Sequence, residues 1–461
     1  MPPLSDQPLS PLDGRYRAAT APLTQHLSEA GLNRARLRVE VEWLLALTTA
    51  GVAGTRPLTD AEATDLRAIV ERFGDDEIAE LAAHEAVTRH DVKAVEYLLR
   101  GHLDAVGLGR LAELTHFACT SEDINNLATA LTVQDALHDV WTPAIDLVLD
   151  RLTTLARRWA EVPMLARTHG QPATPTTLGK ELAVFVHRLR RVRRRVLATE
   201  ITGKANGASG DYAAHVVAAP ETDWEALSER FVTGLGLTWN PLTTQIESHD
   251  WQVELYGSLT HLNGVLHNLC TDVWLYIALG YLKQVPVAGA TGSSTMPHKV
   301  NPIRFENAEA NLELANGVLG TLAATLVTSR LQRDLTDSST QRNIGVGLGH
   351  TLVALDNIAR GLTEIDADEE RMRADLDANQ EVLGEAVQTV LRAEIVAGRS
   401  DLANPYEIVK GLTRGRRVTG EHLRGFVASL GLAPEAEQRL GALTPATYTG
   451  LAAELVRHLD D

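Results

Sequence analysis

The feature that most constrains the fold is a repeat of apolar residues at alternating steps of three and four, which occurs in five long segments. Two of the segments place these residues at Leu178, Leu182, Phe185, Leu189, Val192 and Val196, and at Leu255, Leu259, Leu262, Leu266, Leu269 and Val273. The other three span residues 145–159, 312–326 and 348–362. Helices with apolar stripes of this period pack as left-handed bundles. Because no run of alternating β-branched residues competes with this pattern, the sequence predicts an all-α bundle of long helices.

The distribution of helical patterns divides the sequence into three predicted domains. The chain has 461 residues, which is too long for one core at about 150 residues per domain. Shorter helical stretches occupy residues 1–110, the long apolar-periodic segments lie within residues 111–365, and shorter helices with glycine and proline breaks follow in residues 366–461. We therefore expect an N-terminal helical domain, a central bundle and a small C-terminal helical domain.

The charge balance argues against a protein that binds nucleic acid or a membrane surface. There are 43 Lys and Arg against 60 Asp and Glu, which gives a net charge of −17, so an anionic ligand would need a local basic pocket. Arginines are dense in residues 188–195, but Leu189 and Val192 keep an apolar stripe through them. We interpret this stretch as a solvated or subunit-facing helix surface.

The cell compartment is predicted from signals that the sequence lacks. The N-terminal residues have neither a basic nor an apolar targeting region, and no run of eighteen apolar residues occurs, which favours a cytoplasmic protein without membrane contacts. Cys119 and Cys270 are far apart and have no metal-ligand spacing, so we expect two reduced, buried thiols.

Reactive side chains concentrate in residues 289–302, Gly-Ala-Thr-Gly-Ser-Ser-Thr-Met-Pro-His-Lys-Val-Asn-Pro. Two glycines and two prolines disfavour helix and strand. The stretch therefore predicts a mobile loop between helical segments, and long loops inside compact domains are usually functional. It supplies the hydroxyls of Ser293 and Ser294, the titratable His298 and the cation Lys299.

Three other polar stretches occur at predicted helix junctions. Thr88 is expected to cap a helix with Asp91 at the third following position, and His90 beside it is either a structural or a functional histidine. Residues 120–126 are typical of an N-cap, which serves structure alone or also binds a carboxylate or phosphate. In residues 167–175 a histidine, His169, precedes glycine in a proline-bounded turn, which favours proton transfer over core packing.

Together these stretches resemble the fumarase/aspartase superfamily, whose hallmark loop Gly-Ser-Ser-x-Met-Pro-x-Lys-x-Asn-Pro is matched at residues 292–302. Within it, residues 90–97, 116–126, 167–175 and 333–338 resemble the adenylosuccinate lyase family. The resemblance covers nearly the whole chain. It implies an elimination without cofactor or metal that releases fumarate from adenylosuccinate, giving AMP, and from succinylaminoimidazole carboxamide ribotide, giving AICAR, in purine nucleotide biosynthesis.

Matching positions imply a role for individual residues. Ser293 corresponds to the base that removes a proton and His169 to the acid that protonates the leaving nitrogen, although His90 stays an alternative donor. The positions implied to hold the succinyl carboxylates are Thr120, Ser121, Lys299 and Asn301. Those implied to bind the nucleotide are Arg15, Tyr16, His90, Asp91, Gln245, Asn307, Arg333, Ser338 and Arg342. Arginines suit phosphate because their planar fork binds it bidentately.

The resemblance also implies a homotetramer in which each active site draws on several chains and small-molecule nucleotides are the ligands. Two alternatives remain: another fumarate-releasing lyase of the superfamily, or a catalytically silent structural bundle. The sister lyases usually carry Gln or Gly where His298 stands, and a silent bundle would be marked by loss of Ser293 or His169. One departure is Arg89, because the family often has a small amide before its His-Asp pair.

Overall fold

The computed structural model describes residues 7–285, 296, 299–413 and 418–460. Most of them are helical. The chain forms two compact units, each built from three segments. Unit 1 contains Met1–Ile145, Val192–Gly264 and Ala310–Asp356, and unit 2 contains Asp146–Arg191, Val265–Glu309 and Asn357–Asp461. The division of the sequence into three consecutive domains stays a prediction.

The α-helices, in chain order, are α1 Arg17–Leu27, α2 Glu29–Thr49, α3 Asp60–Glu71, α4 Asp75–Thr88, α5 Asp91–Ala105, α6 Ser121–Ala136, α7 Thr142–Arg158, α8 Leu178–Leu197, α9 Ala213–Ala218, α10 Trp224–Gly234, α11 Asp250–Ala278, α12 Ile303–Leu326, α13 Thr336–Gln341, α14 Ile344–Gly361, α15 Glu369–Asp377, α16 Gly384–Val396, α17 Pro405–Thr413, α18 Gly420–Ser429, α19 Pro434–Gly441 and α20 Ala452–Leu455. A π-helical turn, Leu137–Trp141, joins α6 to α7.

The strands are two or three residues long: β1 Pro163–Met164, β2 Arg167–Thr168, β3 Gln171–Pro172, β4 Thr176–Thr177, β5 Thr202–Gly203, β6 Thr238–Trp239, β7 Leu282–Gln284 and β8 Ile365–Ala367. They form four two-stranded ladders. The pairs β1–β4, β2–β3 and β7–β8 are antiparallel, and β5–β6 is parallel. Such short ladders connect helices and do not build a sheet core, so the predicted all-α class is confirmed.

The five apolar stripes lie on the long helices α7, α8, α11, α12 and α14, or at their ends. Every apolar residue named for the stripes of α8 and α11 is buried, and so are the corresponding residues of the other three. Each stripe spans four or more helical turns, so burial of one face accounts for why these segments are helical. The prediction of a long-helix bundle is therefore confirmed at the level of individual residues.

The core of unit 1 places an aromatic cluster beneath the segment that precedes α6. The fully buried Trp43 of α2 packs with His215, Trp224 and Phe231, its ring centroid 5.0 to 6.4 Å from theirs. Its indole N–H donates to the Phe117 carbonyl oxygen at 3.0 Å. This bond ties the approach to the polar N-terminus of α6 to the hydrophobic core.

The C-terminal part of unit 2 has its own apolar core. Helices α16, α17, α18 and α19 bury one face each, and the buried members of the cluster include Val387, Leu391, Val409, Leu423, Val427 and Leu440.

The arginine-rich stretch of α8 buries Leu189 and Val192 as predicted, and Arg188 Nη1 donates to Asn268 Oδ1 at 2.9 Å. At least one arginine of this stretch is thus held by a hydrogen bond inside unit 2.

The predicted helix start within residues 88–93 is present, because α5 begins at Asp91, but the prediction that Thr88 caps this helix is wrong. Helix α4 continues through Thr88, and Arg89 then ends it in the left-handed region with φ 54°. His90 caps α5 instead, since its Nδ1 accepts the Lys93 backbone N–H at 3.2 Å. A single left-handed residue is enough to reverse the chain between two helices, and this tight junction is what the side-chain pattern did not reveal.

Both cysteines are free, but only Cys270 is fully buried, and Cys119 is half-buried. Burial raises the pKa of both thiols well above the usual range, and nearby carboxylates add to the shift at Cys119. Both thiols therefore stay protonated.

Among the described helices, none is both long enough and apolar enough to cross a membrane.

Candidate active site

The N-terminus of α6 is the first polar centre of unit 1. The Thr120 backbone N–H donates to Asp123 Oδ2 at 2.8 Å, and Thr120 and Ser121 are half-buried. The predicted cap is therefore present. The remaining N–H groups of the first turn and the positive end of the helix dipole favour an anion at this position.

A buried ion pair holds this helix end in place. Lys204 Nζ lies 2.9 Å from Asp123 Oδ1, and neither side chain is more than 1% exposed. Asp123 also accepts the backbone N–H groups of Asn206 and Gly207, at 3.0 and 3.1 Å. Because the protein's own donors occupy its oxygens, Asp123 holds the N-terminus of α6 in place and is not available to a ligand.

A histidine that sequence reasoning did not single out lies close by. His116 has φ 57°, its Nδ1 is 2.6 Å from Glu40 Oε1, and its backbone N–H donates to Glu40 Oε2 at 3.0 Å. Burial opposes the charged ring, but the hydrogen bond and charge of Glu40, with Glu96 behind it, raise the pKa of His116 above its ordinary value. The His116 imidazole is therefore half-buried, favours its protonated form and lies next to the segment leading to Thr120.

Asp91 is the centre of the second cluster in unit 1. Its Oδ2 accepts hydrogen bonds from Arg36 Nη2 at 2.9 Å and Arg342 Nη2 at 3.3 Å. Burial tends to raise the pKa of Asp91, but the two guanidinium groups and the Val92 N–H lower it overall. Arg342 also donates to Glu29 Oε2 at 2.6 Å. Two of the predicted nucleotide-binding residues, Asp91 and Arg342, are thus in direct contact.

Other residues predicted to bind the nucleotide line a cavity in unit 1 or contact one of its lining residues. Ser338 and Arg342 line a cavity of about 90 Å³ together with Arg36, Glu122 and Asn125. Arg333 Nη2 lies 2.9 Å from Glu122 Oε1, and only 19% of the Arg333 side chain is exposed. Ligand pockets usually enclose about 300 to 1,000 Å³. At about 90 Å³, the cavity has room for only part of a ligand of that size.

Four further residues of unit 1 are predicted to bind the nucleotide, and their positions in the structure support this role less strongly. Arg15 is exposed and Tyr16 half-buried just before α1. Gln245 donates from its backbone to Gln332 Oε1 at 3.1 Å and from its side chain to the Ala208 carbonyl at 2.9 Å. His90 is exposed and uses Nδ1 to cap α5. Their roles in substrate binding stay predictions.

In unit 2, His169 lies at the tip of the β2–β3 hairpin. Arg167 pairs with Pro172 and Thr168 with Gln171, which leaves His169 and Gly170 as a two-residue turn with φ 54° and 74°. Two consecutive positive φ values match the turn type whose twist suits a tight hairpin. The imidazole is exposed, so the turn presents it outward, as the sequence predicted.

The described residues at the end of the signature loop, residues 292–302, lie just before α12 in unit 2. Lys299 is exposed and its backbone N–H donates to the Met296 carbonyl at 3.0 Å, while Asn301 is half-buried. Asn307 Oδ1 accepts from Asn357 Nδ2 at 3.0 Å. Ser293, with Ser294 and His298 and most of the predicted mobile loop, lies outside the described residues. Its role as the base stays a prediction.

Within the described ranges, no group of three or more His, Cys, Asp and Glu side chains is placed to hold a metal ion. The polar groups that are gathered in unit 1 are arginines, carboxylates and hydroxyls around a helix N-terminus. Such a set can bind an organic anion, because guanidinium groups and free backbone N–H groups are its preferred partners.

The chain matches two family models. The model described as Lyase covers residues 14–317, and the model described as Adenylosuccinate lyase C-terminal covers residues 329–449. Two similar solved structures share the fold over 95% of this chain. They are a 3-carboxy-cis,cis-muconate lactonizing enzyme from Pseudomonas putida, with TM-score 0.70, 25% identity and 96% of that chain covered, and a fumarate lyase from Mesorhizobium sp. BNC1, with TM-score 0.74, 21% identity and 97% covered. Fold and family models therefore define a lyase of the helical fumarase/aspartase type.

Curated relatives narrow this class. Adenylosuccinate lyases of Haemophilus influenzae and Escherichia coli are each 46% identical to the chain over 453 residues, which is 98% of both partners. That of Vibrio cholerae is 46% identical over 454 residues, again 98% of each. The chain belongs to the adenylosuccinate lyase family.

Proposed function

We propose that this protein cleaves adenylosuccinate to AMP and fumarate, and succinylaminoimidazole carboxamide ribotide to AICAR and fumarate, as a carbon–nitrogen lyase of purine nucleotide biosynthesis. The observation that carries the proposal is the identity of 46% over 98% of the chain to curated adenylosuccinate lyases, together with the match of residues 329–449 to the model specific to that family. The cluster of Asp91, Arg36 and Arg342 supports it from the structure, because a nucleotide phosphate needs a local basic site on this acidic chain.

The chemistry asks for three functions. A proton leaves the carbon next to a carboxylate, its bonding electrons form the carbon–carbon double bond of fumarate, and the bond to the neighbouring nitrogen breaks as that nitrogen takes up a proton. Negative charge grows on the adjacent carboxylate meanwhile. The site therefore needs a base, an acid and a cradle for the developing charge.

His169 is the proposed acid, and the structure supports it over His90. The His169 ring is exposed at the tip of a turn, where it can carry a proton and turn toward a ligand. His90 Nδ1 is an acceptor in the cap of α5, so protonating that nitrogen would break the cap. His90 could still bind substrate through its Nε2 atom.

Ser293 is the proposed base, with Lys299 and Asn301 as partners of the succinyl carboxylates. A serine needs its alkoxide stabilised by nearby positive charge and by exclusion of water. Lys299 is six positions further along the chain and its side chain is exposed. Thr120 and Ser121 are proposed as further partners of a substrate carboxylate, because the helix dipole at the N-terminus of α6 opposes negative charge.

The nucleotide is proposed to bind at the subsite around Asp91. Arg333, Ser338 and Arg342 would face the phosphate, and Arg15, Tyr16, His90, Gln245 and Asn307 would complete the nucleotide site. Without a ligand both arginines are paired with carboxylates, Arg333 with Glu122 and Arg342 with Glu29. A phosphate oxygen would compete with those carboxylates for the guanidinium groups, and this exchange limits the affinity that each arginine adds.

We further propose a cytoplasmic homotetramer with active sites shared between chains, organised as the three sequence domains. Support comes from one face of α12, where Leu314 is 55% exposed and lies with Gly317 and Val318 along a shallow apolar surface. Exposed apolar surface rimmed by polar residues is typical of an interface. The expected ligands are nucleotides, and we expect neither nucleic acid nor membrane as a partner.

Variants of the two proton-transfer residues test the proposal. Ser293→Ala and His169→Ala should each abolish fumarate release while adenylosuccinate still binds, as measured by calorimetry. Ser429→Ala, an exposed serine on α18, is the matched control and should keep wild-type turnover. Full activity in either site variant would overturn the assignment of that residue. Turnover of a different succinyl compound, with none of adenylosuccinate, would favour a sister lyase.

A further inference from the structure

The hairpin that carries His169 has too few backbone bonds to be rigid by itself. It contains two residue pairs, and Pro172 has no N–H to donate. Beyond the pairs, the Ala173 N–H donates to the Ala166 carbonyl at 2.8 Å. Isolated two-stranded hairpins are marginal in water, so side-chain anchors at its base must determine where the imidazole is held.

The main anchor is a carboxylate on α15. Arg167 is two residues before His169, and its Nη2 atom donates to Asp375 Oδ2 at 2.6 Å. The Tyr281 hydroxyl donates to the same oxygen. Asn379 Nδ2 donates to the Asp375 backbone carbonyl at 2.7 Å, which holds the end of α15 in place. One carboxylate oxygen thus receives both the hairpin arginine and a tyrosine from another segment.

Tyr281 is a fixed point in this network. It is 1% exposed, and its ring stacks on Tyr276 with centroids 6.4 Å apart and planes 15° apart. Burial and the hydrogen bond to Asp375 raise the pKa of Tyr281 to about 12, so the phenol remains a donor throughout the physiological range. It directly precedes β7, which pairs with β8. The position of Asp375 is therefore set by the unit's core.

A second contact lies on the other strand's side of the hairpin. Thr174 Oγ1 donates to Glu385 Oε2 at 2.7 Å in the first turn of α16. The Tyr448 hydroxyl donates to the same Glu385 oxygen at 3.2 Å. This contact is exposed and has one charged group, whereas Arg167 and Asp375 are both charged and less exposed, so the Arg167 anchor is the stronger of the two.

We propose that Asp375 is a positioning residue for the elimination, holding His169 in place through Arg167 while Tyr281 orients the Asp375 carboxylate. The inference rests on the proposed function, because it takes His169 as the acid. Asp375 touches no substrate in this account. It acts on the rate by fixing the distance over which the proton is transferred, and displacements of about 1 Å at a catalytic group can cost on the order of 100-fold.

The test compares Asp375→Asn and Tyr281→Phe with the wild-type enzyme. Both variants keep their shapes, and the first removes the charge that holds Arg167. We expect Asp375→Asn to lower kcat with an unchanged KM, because a misplaced acid weakens stabilisation of the transition state but does not change substrate binding. Tyr281→Phe should give a smaller decrease. Asp366→Asn, which breaks the exposed pair with Arg158 at 3.0 Å in the same unit, is the control and should change neither constant.

Hydrogen exchange of the backbone amides in residues 166–173 provides a readout that does not depend on catalysis. Asp375→Asn should speed exchange there and leave the helices of unit 2 unchanged. Unchanged exchange in Asp375→Asn would overturn the anchor, and faster exchange with unchanged kcat would overturn its role in positioning the acid. If His169→Ala alone stays active, the proposed acid fails and the positioning role with it, while the exchange result still reports on the anchor separately.

Discussion

Lys204 Nζ lies 2.9 Å from Asp123 Oδ1 in a site where both side chains are at most 1% exposed. The Asp123 carboxylate also receives backbone N–H groups from Thr120 and Asn206. The N-terminus of α6, which we propose to bind a substrate carboxylate, is therefore built on a buried charge that depends on one lysine. Breaking a buried ion pair by removing one partner leaves an uncompensated charge.

We predict that Lys204→Met destabilises the protein by about 3 to 5 kcal/mol, the range for a buried pair that loses one member. Lys283→Met is the matched control, because Lys283 pairs with Asp368 at 2.9 Å but is 60% exposed, and exposed pairs contribute about 0 to 1 kcal/mol. Urea unfolding at one fixed protein concentration measures the difference. Equal midpoints for the two variants would contradict the importance of the buried pair.

The pair of His116 and Glu40 predicts a pH dependence of stability. The pKa of His116 is raised above its unfolded value of about 6.5 because the effects of Glu40 and Glu96 outweigh burial. A raised histidine pKa gives a stabilisation that is complete below the unfolded pKa and is lost as pH rises through the folded pKa. The unfolding temperature of the wild type should therefore fall as pH rises from about 6.5.

Glu40→Gln tests this assignment, since it keeps the shape of the side chain and removes the charge. The variant should be less stable at low pH and lose most of this pH dependence. Nuclear magnetic resonance titration of the His116 ring should show a lower pKa than in the wild type. An unchanged titration in Glu40→Gln would mean that Glu40 does not hold the proton on His116.

Arg89 is predicted to cost stability. Its φ of 54° is in the left-handed region and its side chain is exposed, so Arg89→Asn should stabilise the protein by a few tenths to about 1 kcal/mol, since asparagine tolerates this conformation better. Arg72→Asn is the control at a right-handed helix end with φ −87°, where no gain is expected. Thermal unfolding measures both. A loss of stability in Arg89→Asn would show that the arginine side chain makes a contact worth more than the backbone strain.

Arg333→Ala should raise the KM for both substrates by about 10- to 100-fold, the loss expected for a charge-assisted hydrogen bond of about 1.5 to 3 kcal/mol. The change also removes the cationic partner of the buried Glu122. Adding Glu122→Gln should restore stability but not KM, which separates binding from folding. Recovery of KM in the double variant would place the effect of Arg333 in structure alone.

Mixing His169→Ala with Ser293→Ala tests whether sites are shared between chains. If the two residues of one site come from different chains, hybrid tetramers contain some sites with neither substitution, and partial activity should return after subunit exchange. Mass spectrometry of the intact assembly confirms that the exchange took place. Confirmed hybrids without activity would count against shared sites.

The sequence predicted those features that depend on local pattern. The apolar stripes of α8 and α11 are buried throughout, because a period of 3.5 residues defines a helix face whatever surrounds it. The cap at Thr120 and the exposed turn at His169 follow in the same way from nearby residues. The prediction of a cap at Thr88 failed because the neighbouring residues are compatible with one. Only the structure shows that α4 continues to Thr88 and ends at the left-handed Arg89.

Contacts between distant residues could not be predicted. Glu40 and His116 are 76 residues apart, and Arg167 and Asp375 are 208 apart, so no local signal joins them. In the sequence, nothing distinguishes Arg36 from other helix arginines, and only the structure shows its hydrogen bond to Asp91. The role of Ser293 rests on the resemblance of its loop and remains a prediction.

Assay of the purified protein with adenylosuccinate is the most direct test of the proposed function. We predict that AMP and fumarate form in equal amounts, seen as loss of substrate absorbance and confirmed by chromatography, and that Ser293→Ala forms neither. A folded wild-type protein that leaves adenylosuccinate unchanged under these conditions would contradict it.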